Sequence, residues 1–149
     1  MERPALVRVL RDANIVLEIL LQRNRAAECR ALLARPDEHE FFLSDFSLHT
    51  VGVILFRHGR RVLFRQFIDD MILNGAVVVA ALYAGELQPV NDFAQQFNLD
   101  FDDAYQCAVA EKFDLTIVSF DADFDRAARG RRTPAELLSP PADATGDPA

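Results

Sequence analysis

The chain has 149 residues, half of them hydrophobic, with a formal net charge of −7 at pH 7 and two cysteines. That length suffices for one domain with a real core, and the apolar content excludes a disordered chain. No apolar run approaches a membrane span, MERPALVRVL lacks a signal-peptide pattern with a small-residue cleavage site, and the acidic balance argues against a broad electrostatic grip on nucleic acid. The expected address is cytoplasmic. Cys29 and Cys107 lie in apolar helical patterns without CxxC or Cys/His spacing and read as buried free thiols.

Ala5 to Leu10 is a short apolar run interrupted by Arg8, and Arg11-Asp12-Ala13-Asn14 follows before the pattern Ile15, Leu17, Ile19, Leu20, Leu21. This predicts a strand, Asp12 at its C-terminal end, then a helix. Glu18 interrupts the apolar face of that helix. It reads either as a helix-edge residue reaching water or as an acid pointing back towards Asp12. A second helix, about Ala26 to Ala34, ends at Arg35-Pro36-Asp37, and Glu40 to Ser44 reads as a strand. Ser44-Asp45 opens a longer helix whose Phe46, Val51, Ile54 and Leu55 face a core, with Ser47, His49 and Thr50 near its start. His49 and His58 have no partner at ligand spacing and read as solvent-facing or satisfied.

Past Arg57-His58-Gly59-Arg60 a further helix runs to about Leu73, and Asn74-Gly75 turns the chain into Ala76 to Leu82. That stretch has no polar residue, as expected for a central parallel strand covered on both faces. A helix within Glu86 to Phe97 is predicted to begin near Pro89, which fits a first-turn position. Asp100, Asp102 and Asp103 then open a helical pattern in which Ala104, Cys107, Ala108 and Glu111 fall three or four apart. Leu115 to Phe120 reads as a buried strand, followed at once by Asp121, Asp123 and Asp125. Pro134 to Leu138 is expected to fold back, giving one domain over residues 1–138, and residues 139–149 read as a disordered tail.

Strands near 5–11, 40–44, 76–82 and 115–120, separated by helices, imply a three-layer α/β fold. Its central sheet is expected to be mainly parallel, with four or five strands and helices on both faces. No GxGxxG or GxxxxGK[ST] accompanies it. Asp12 and Asp121 each follow a strand and Asp103 opens a helix, so the three can meet at the sheet edge where open α/β folds place ligands. Each cluster alone has an ordinary explanation, because Asp caps helix N-termini and suits turns. The run DADFD imitates half of a calcium loop, but Arg126 and Arg132 stand where Gly and Glu are needed, which rejects an EF-hand. Three acids from separate segments point instead to a metal site, whose ion would reverse the local potential and keep a nuclease compatible with the acidic charge. Two basic groups, Arg57 to Arg65 and Arg126 to Arg132, read as solvated helix faces or as phosphate contacts.

RDANIVLEIL at Arg11 to Leu20, LSDFSLHTVGVIL at Leu43 to Leu55, DDAYQCAVA at Asp102 to Ala110 and SFDADFD at Ser119 to Asp125 together resemble a PIN domain, as in VapC toxins. The resemblance spans about Val7 to Arg126 and implies a metal-dependent endoribonuclease that hydrolyses RNA phosphodiesters. By position it makes Asp12, Asp103 and Asp121 the catalytic acids, and with Asp123 the ligands of Mg²⁺ or Mn²⁺. Asn14 and Ser119 match supporting polar residues, with Asp102 a further candidate. The family's glutamate, about six residues after a serine that Ser44 matches, is here Thr50, and Glu18 is the candidate substitute. The implied partners are RNA, a cognate antitoxin and, from the apolar helices around Phe41 to Leu55 and Val62 to Leu73, a second copy of the chain; no membrane is implied. A PIN-fold module that binds RNA or protein with weak or no cleavage is the alternative. A receiver-like phosphoacceptor at Asp12 lacks both the acidic pair before its strand and the lysine after a late one.

Overall fold

A computed structural model describes residues 6–139. The tail expected over residues 139–149 lies outside the described residues except for Ser139. The elements are β1 (Val7–Arg11), α1 (Ala13–Leu20), α2 (Ala26–Leu33), β2 (His39–Ser44), α3 (Asp45–Arg57), α4 (Arg61–Phe67), β3 (Val78–Ala80), α5 (Leu87–Phe97), α6 (Phe101–Phe113), β4 (Thr116–Val118) and α7 (Pro134–Leu138). The helix read as continuous to Leu73 is α4 extended by a π-helical turn, Ile68–Leu73. Among the described residues no helix is long and apolar enough to cross a membrane.

Four parallel strands form one sheet in the order β3-β2-β1-β4. Side chains alternate across it. Leu10, Phe42, Ala80 and Ile117 face a layer built from α5 and α6. Val9, Phe41, Leu43 and Val118 face the opposite layer, built from α1 to α4. Full burial of each such Leu, Ile, Val or Phe side chain contributes about 1.5–3 kcal/mol. In α6 the residues Ala104, Ala108 and Ala110 are small enough to let the helix lie close to the sheet and α5, and all three are buried. The helix ends at Asp114, whose φ of 55° is left-handed, a conformation that Asp and Asn tolerate better than most residues.

The stretch expected as a central strand proves to be an edge. β3 has only three residues, pairs with β2 alone, and leaves Val78 and Val79 exposed. Its turn needs glycine, since a Cβ on Gly75 would meet the Met71 carbonyl oxygen at 2.5 Å.

Arg11 is the exception in the apolar layer. It is 1% exposed, its guanidinium lies 5.4 Å from the Phe41 ring centroid, and Nε and Nη2 have no hydrogen-bond partner among the described residues. Burial lowers its pKa to about 10, so it stays charged at pH 7. A buried cation without a counter-charge opposes folding. We therefore expect Arg11→Met to raise the unfolding midpoint in urea, a gain of about 1–3 kcal/mol in unfolding free energy on the scale of buried ions replaced by apolar side chains. A lower midpoint with an unchanged m-value would show that the guanidinium has a stabilising partner.

Candidate active site

The strand register pairs Arg11 with Leu43 and with Val118, so the residues that follow, Asp12, Ser44 and Ser119, share the C-terminal edge of the sheet. β1 lies between β2 and β4. Its connection to β2 runs through α1 and α2, whereas β4 is reached through α5 and α6 of the other layer. The crevice between the ends of β1 and β4 is thus the topological switch point, where open α/β sheets bind ligands.

Asp12 caps α1 by accepting the Ala13 N–H on Oδ1 at 2.8 Å, and its Oδ2 accepts the Ser119 hydroxyl at 2.7 Å. The Ser119 oxygen accepts in turn from Asn14 Nδ2 at 3.1 Å and from the Asp121 N–H at 2.9 Å. Burial raises the Asp12 pKa, against the lowering effect of the Ser119 and Ala13 bonds, and Asp121 and Asp102 raise it further by repulsion. Asp103 is buried in the first turn of α6, and Asp102 accepts its backbone N–H at 3.0 Å. A 3₁₀ turn, Ala122–Arg126, begins where Asp121 accepts the Asp123 N–H at 2.9 Å.

These segments bring one carboxylate oxygen each from Asp103, Asp121 and Asp123 within 4.8 Å of one another. Asp12 stands outside that trio but borders it, and its charge is felt at Asp103. The Asp103 carboxyl is pushed up to about 7, first by burial, then by repulsion from Asp121, Asp102 and Asp12, and by a hydrogen bond with Asp121. Arg126 balances part of this charge through a 3.2 Å ion pair with Asp123. Asp125 is turned away to Arg131. A set of hard oxygen donors that repel one another suits a divalent cation such as Mg²⁺ or Mn²⁺, so the residues present fit the implied ion.

Glu18 does not join the acids. Its Oε2 accepts the Arg25 N–H at 2.7 Å and closes the turn between α1 and α2. Ser44 caps α3 by accepting the Ser47 N–H at 3.0 Å, and Thr50 donates back to the Phe46 carbonyl at 3.0 Å within its own helix. Two residues at the site, Gln106 and Tyr105, escaped sequence reading, and their partners Ser47 and Asp45 were read only as part of a helix start. Buried Gln106 donates to Ser47 Oγ at 2.9 Å and to Asp12 Oδ1 at 3.4 Å, while its Oε1 has no partner among the described residues. Tyr105 donates to Asp45 Oδ1 at 2.7 Å, which fixes an acid just past the end of β2. The i,i+3 spacing of Asp103 and Gln106, which puts both on one helix face, was the available signal.

A parallel sheet with acids collected at its switch point defines an α/β domain with a candidate cation site. The PIN domain family profile matches residues 9–130, and the chain belongs to that family. No curated protein sequence matches it. Solved structures share the fold at low identity. A toxin-antitoxin complex from Klebsiella pneumoniae superposes with a TM-score of 0.67 and 19% identity, over 85% of this chain and 97% of the other. VapC20 from Mycobacterium tuberculosis, a Sarcin-Ricin loop cleaving toxin, gives 0.68 and 18%, over 80% and 95%. FitAcB from Neisseria gonorrhoeae gives 0.61 and 22%, over 87% and 99%.

The Asp103 shift has a pH signature. Its folded pKa of about 7 exceeds the ordinary 3.8, so its contribution to stability is full below about pH 4 and is lost as pH rises through 7. Asp12 is shifted in the same direction. Without divalent ions the melting temperature is expected to fall between pH 5 and pH 8, and Asp103→Asn is expected to flatten that fall. A wild-type profile that rises over this range would contradict the crowding of acids.

Proposed function

We propose that this chain is a metal-dependent endoribonuclease and the toxin of a toxin-antitoxin pair. The single observation that carries the reading is the gathering of Asp103, Asp121 and Asp123 within 4.8 Å beside Asp12. Membership of the PIN family supports it, as do the similar structures, one of them a toxin-antitoxin complex and another a toxin that cleaves the Sarcin-Ricin loop.

Asp12, Asp103, Asp121 and Asp123 would hold Mg²⁺ or Mn²⁺. When bound, such an ion supplies Lewis acidity, which lowers the pKa of an attacking water and offsets charge on the phosphodiester. Ser119 fixes the Asp12 carboxylate and the Asp121 backbone with one hydroxyl, and Asn14 orients that hydroxyl. Asp103 gives up its proton on ligation, so metal affinity rises with pH through about 7. Neither a histidine base nor a covalent nucleophile is required.

One observation favours a second reading, a PIN-fold module that binds RNA or protein with little cleavage. The position where the resemblance expects glutamate is Thr50, and Glu18 is committed to Arg25. The two readings part in a cleavage assay on single-stranded RNA with Mn²⁺. Asp103→Asn and Asp121→Asn should each lower kcat/KM by at least about 100-fold, a loss of about 2.7 kcal/mol of transition-state stabilisation. Thr50→Glu should raise Mg²⁺ affinity, while Glu18→Gln leaves it unchanged. Wild-type protein that neither binds Mn²⁺ nor cleaves RNA would leave the binding module.

The exposed apolar residues Val53, Phe56, Val62 and Leu73 cluster on α3, α4 and the π-helical turn that follows. We propose that this face carries the homodimer contact. Sedimentation should show a concentration-dependent dimer that Val62→Glu dissociates; a monomer at every concentration would refute it.

A further inference from the structure

Phe120 stands between Ser119 and Asp121, and its N–H reaches Asn14 Oδ1 at 3.4 Å. Its ring forms one wall of a hollow of about 420 Å³ lined also by Glu18, Arg23, Asn24 and Arg25. The hollow therefore borders the segment that carries Asp121, the chain neighbour of Phe120. On the strength of the nuclease reading, we propose that it is a nucleotide subsite, which holds the RNA residue next to the scissile phosphate.

Charge supports this placement. The chain carries a net charge of −7, so a polyanion needs cations that are not already neutralised. Two arginines near the acids are neutralised, Arg126 by Asp123 and Arg131 by Asp125, while Arg129 is held at the far end of α6 by Glu111 and Asp114. Arg57 stands at the far end of α3, about 20 Å from the acid edge at 1.5 Å per residue, and Arg60, Arg61 and Arg65 follow it on the next turn and α4. Arg23 and Arg25, by contrast, have no carboxylate partner among the described residues. The Arg25 guanidinium lies 4.6 Å from the Phe120 ring centroid. Aromatic faces and guanidinium planes are the surfaces on which unpaired RNA bases stack.

The loop is built before any ligand arrives. Gln22 turns it with a φ of 51°, Arg23 N–H donates to the Glu18 carbonyl at 2.9 Å, and the Glu18 side chain takes the Arg25 N–H. Only Oε2 of Glu18 is used there, which leaves Oε1 to accept from a base edge.

The test is binding of a fluorescent single-stranded RNA pentamer to the full-length protein in EDTA, with a salt titration, beside Mn²⁺-dependent cleavage. Phe120→Ala should weaken binding about tenfold and Phe120→Trp should restore it. Arg23→Ala and Arg25→Ala should each reduce the slope of log K against log salt by about 0.7, the value for one phosphate contact on a single strand. In cleavage the loss should fall on KM, with Mn²⁺ affinity unchanged. Wild-type cleavage combined with unaltered binding and KM in all three alanine variants would overturn the subsite and leave the nuclease reading standing. Loss of binding in those variants without any cleavage by wild type would support the subsite and overturn the nuclease.

Discussion

The 2.7 Å hydrogen bond from Ser119 to Asp12 joins the end of β4 to the end of β1, and the arrangement of the acids depends on it. A hydrogen bond to a charged carboxylate contributes about 1.5–3 kcal/mol, and here it acts against the repulsion of Asp121 and Asp102. The same hydroxyl oxygen accepts the Asp121 N–H, so Ser119 sets the spacing between an acid that caps α1 and an acid that opens the following 3₁₀ turn. Neutral dipoles hold the carboxylates in place here. A nearby cation would compete with any metal ion, and of Asp12, Asp103, Asp121 and Asp123 only Asp123, at the rim, has one among the described residues.

Much of the site was legible because its signals are local. Asp12 after an apolar run, Asp103 in a first helical turn and Asp121 after a second apolar run each follow from period and capping, and the structure brings them to one edge. Asp123 joins by the same turn chemistry. The strand positions were legible for the same reason. Their order was not, since the place of β3 in the sheet is decided by contacts far along the chain. Ala76 to Leu82 illustrates this: an all-apolar stretch reports that burial is tolerable, not that something packs on both sides. The sequence left the direction of Glu18 open for a related reason. Its partner is a backbone N–H seven residues on, in a loop whose path no periodicity predicts. Gln106 passed as an ordinary helix residue because its partners, Ser47 and Asp12, lie 59 and 94 positions away.

The arginines show how an acidic protein can still present cations. Arg126 and Arg131 near the acid edge are matched to carboxylates a few residues away, whereas Arg23 and Arg25 have no such match among the described residues, which leaves net charge a poor guide to the local field. Arg11 is the opposite case, a charge placed in the apolar layer beside Phe41 and one residue from Asp12. Because successive side chains on a strand point to opposite faces, the cation and the carboxylate share a backbone segment but not an environment.

The two edges of the sheet are unequal. Along β4, the Arg132 N–H donates to the Ile117 carbonyl and the Arg132 carbonyl accepts the Ser119 N–H, so that margin is sealed by the chain itself. Along β3, Val78 and Val79 are exposed, and no described residue covers the margin. Any lengthening of this sheet, including misassembly at high concentration, must therefore begin at β3. A run of three residues offers a stranger little template, and brevity stands in for a covering element as the guard against aggregation.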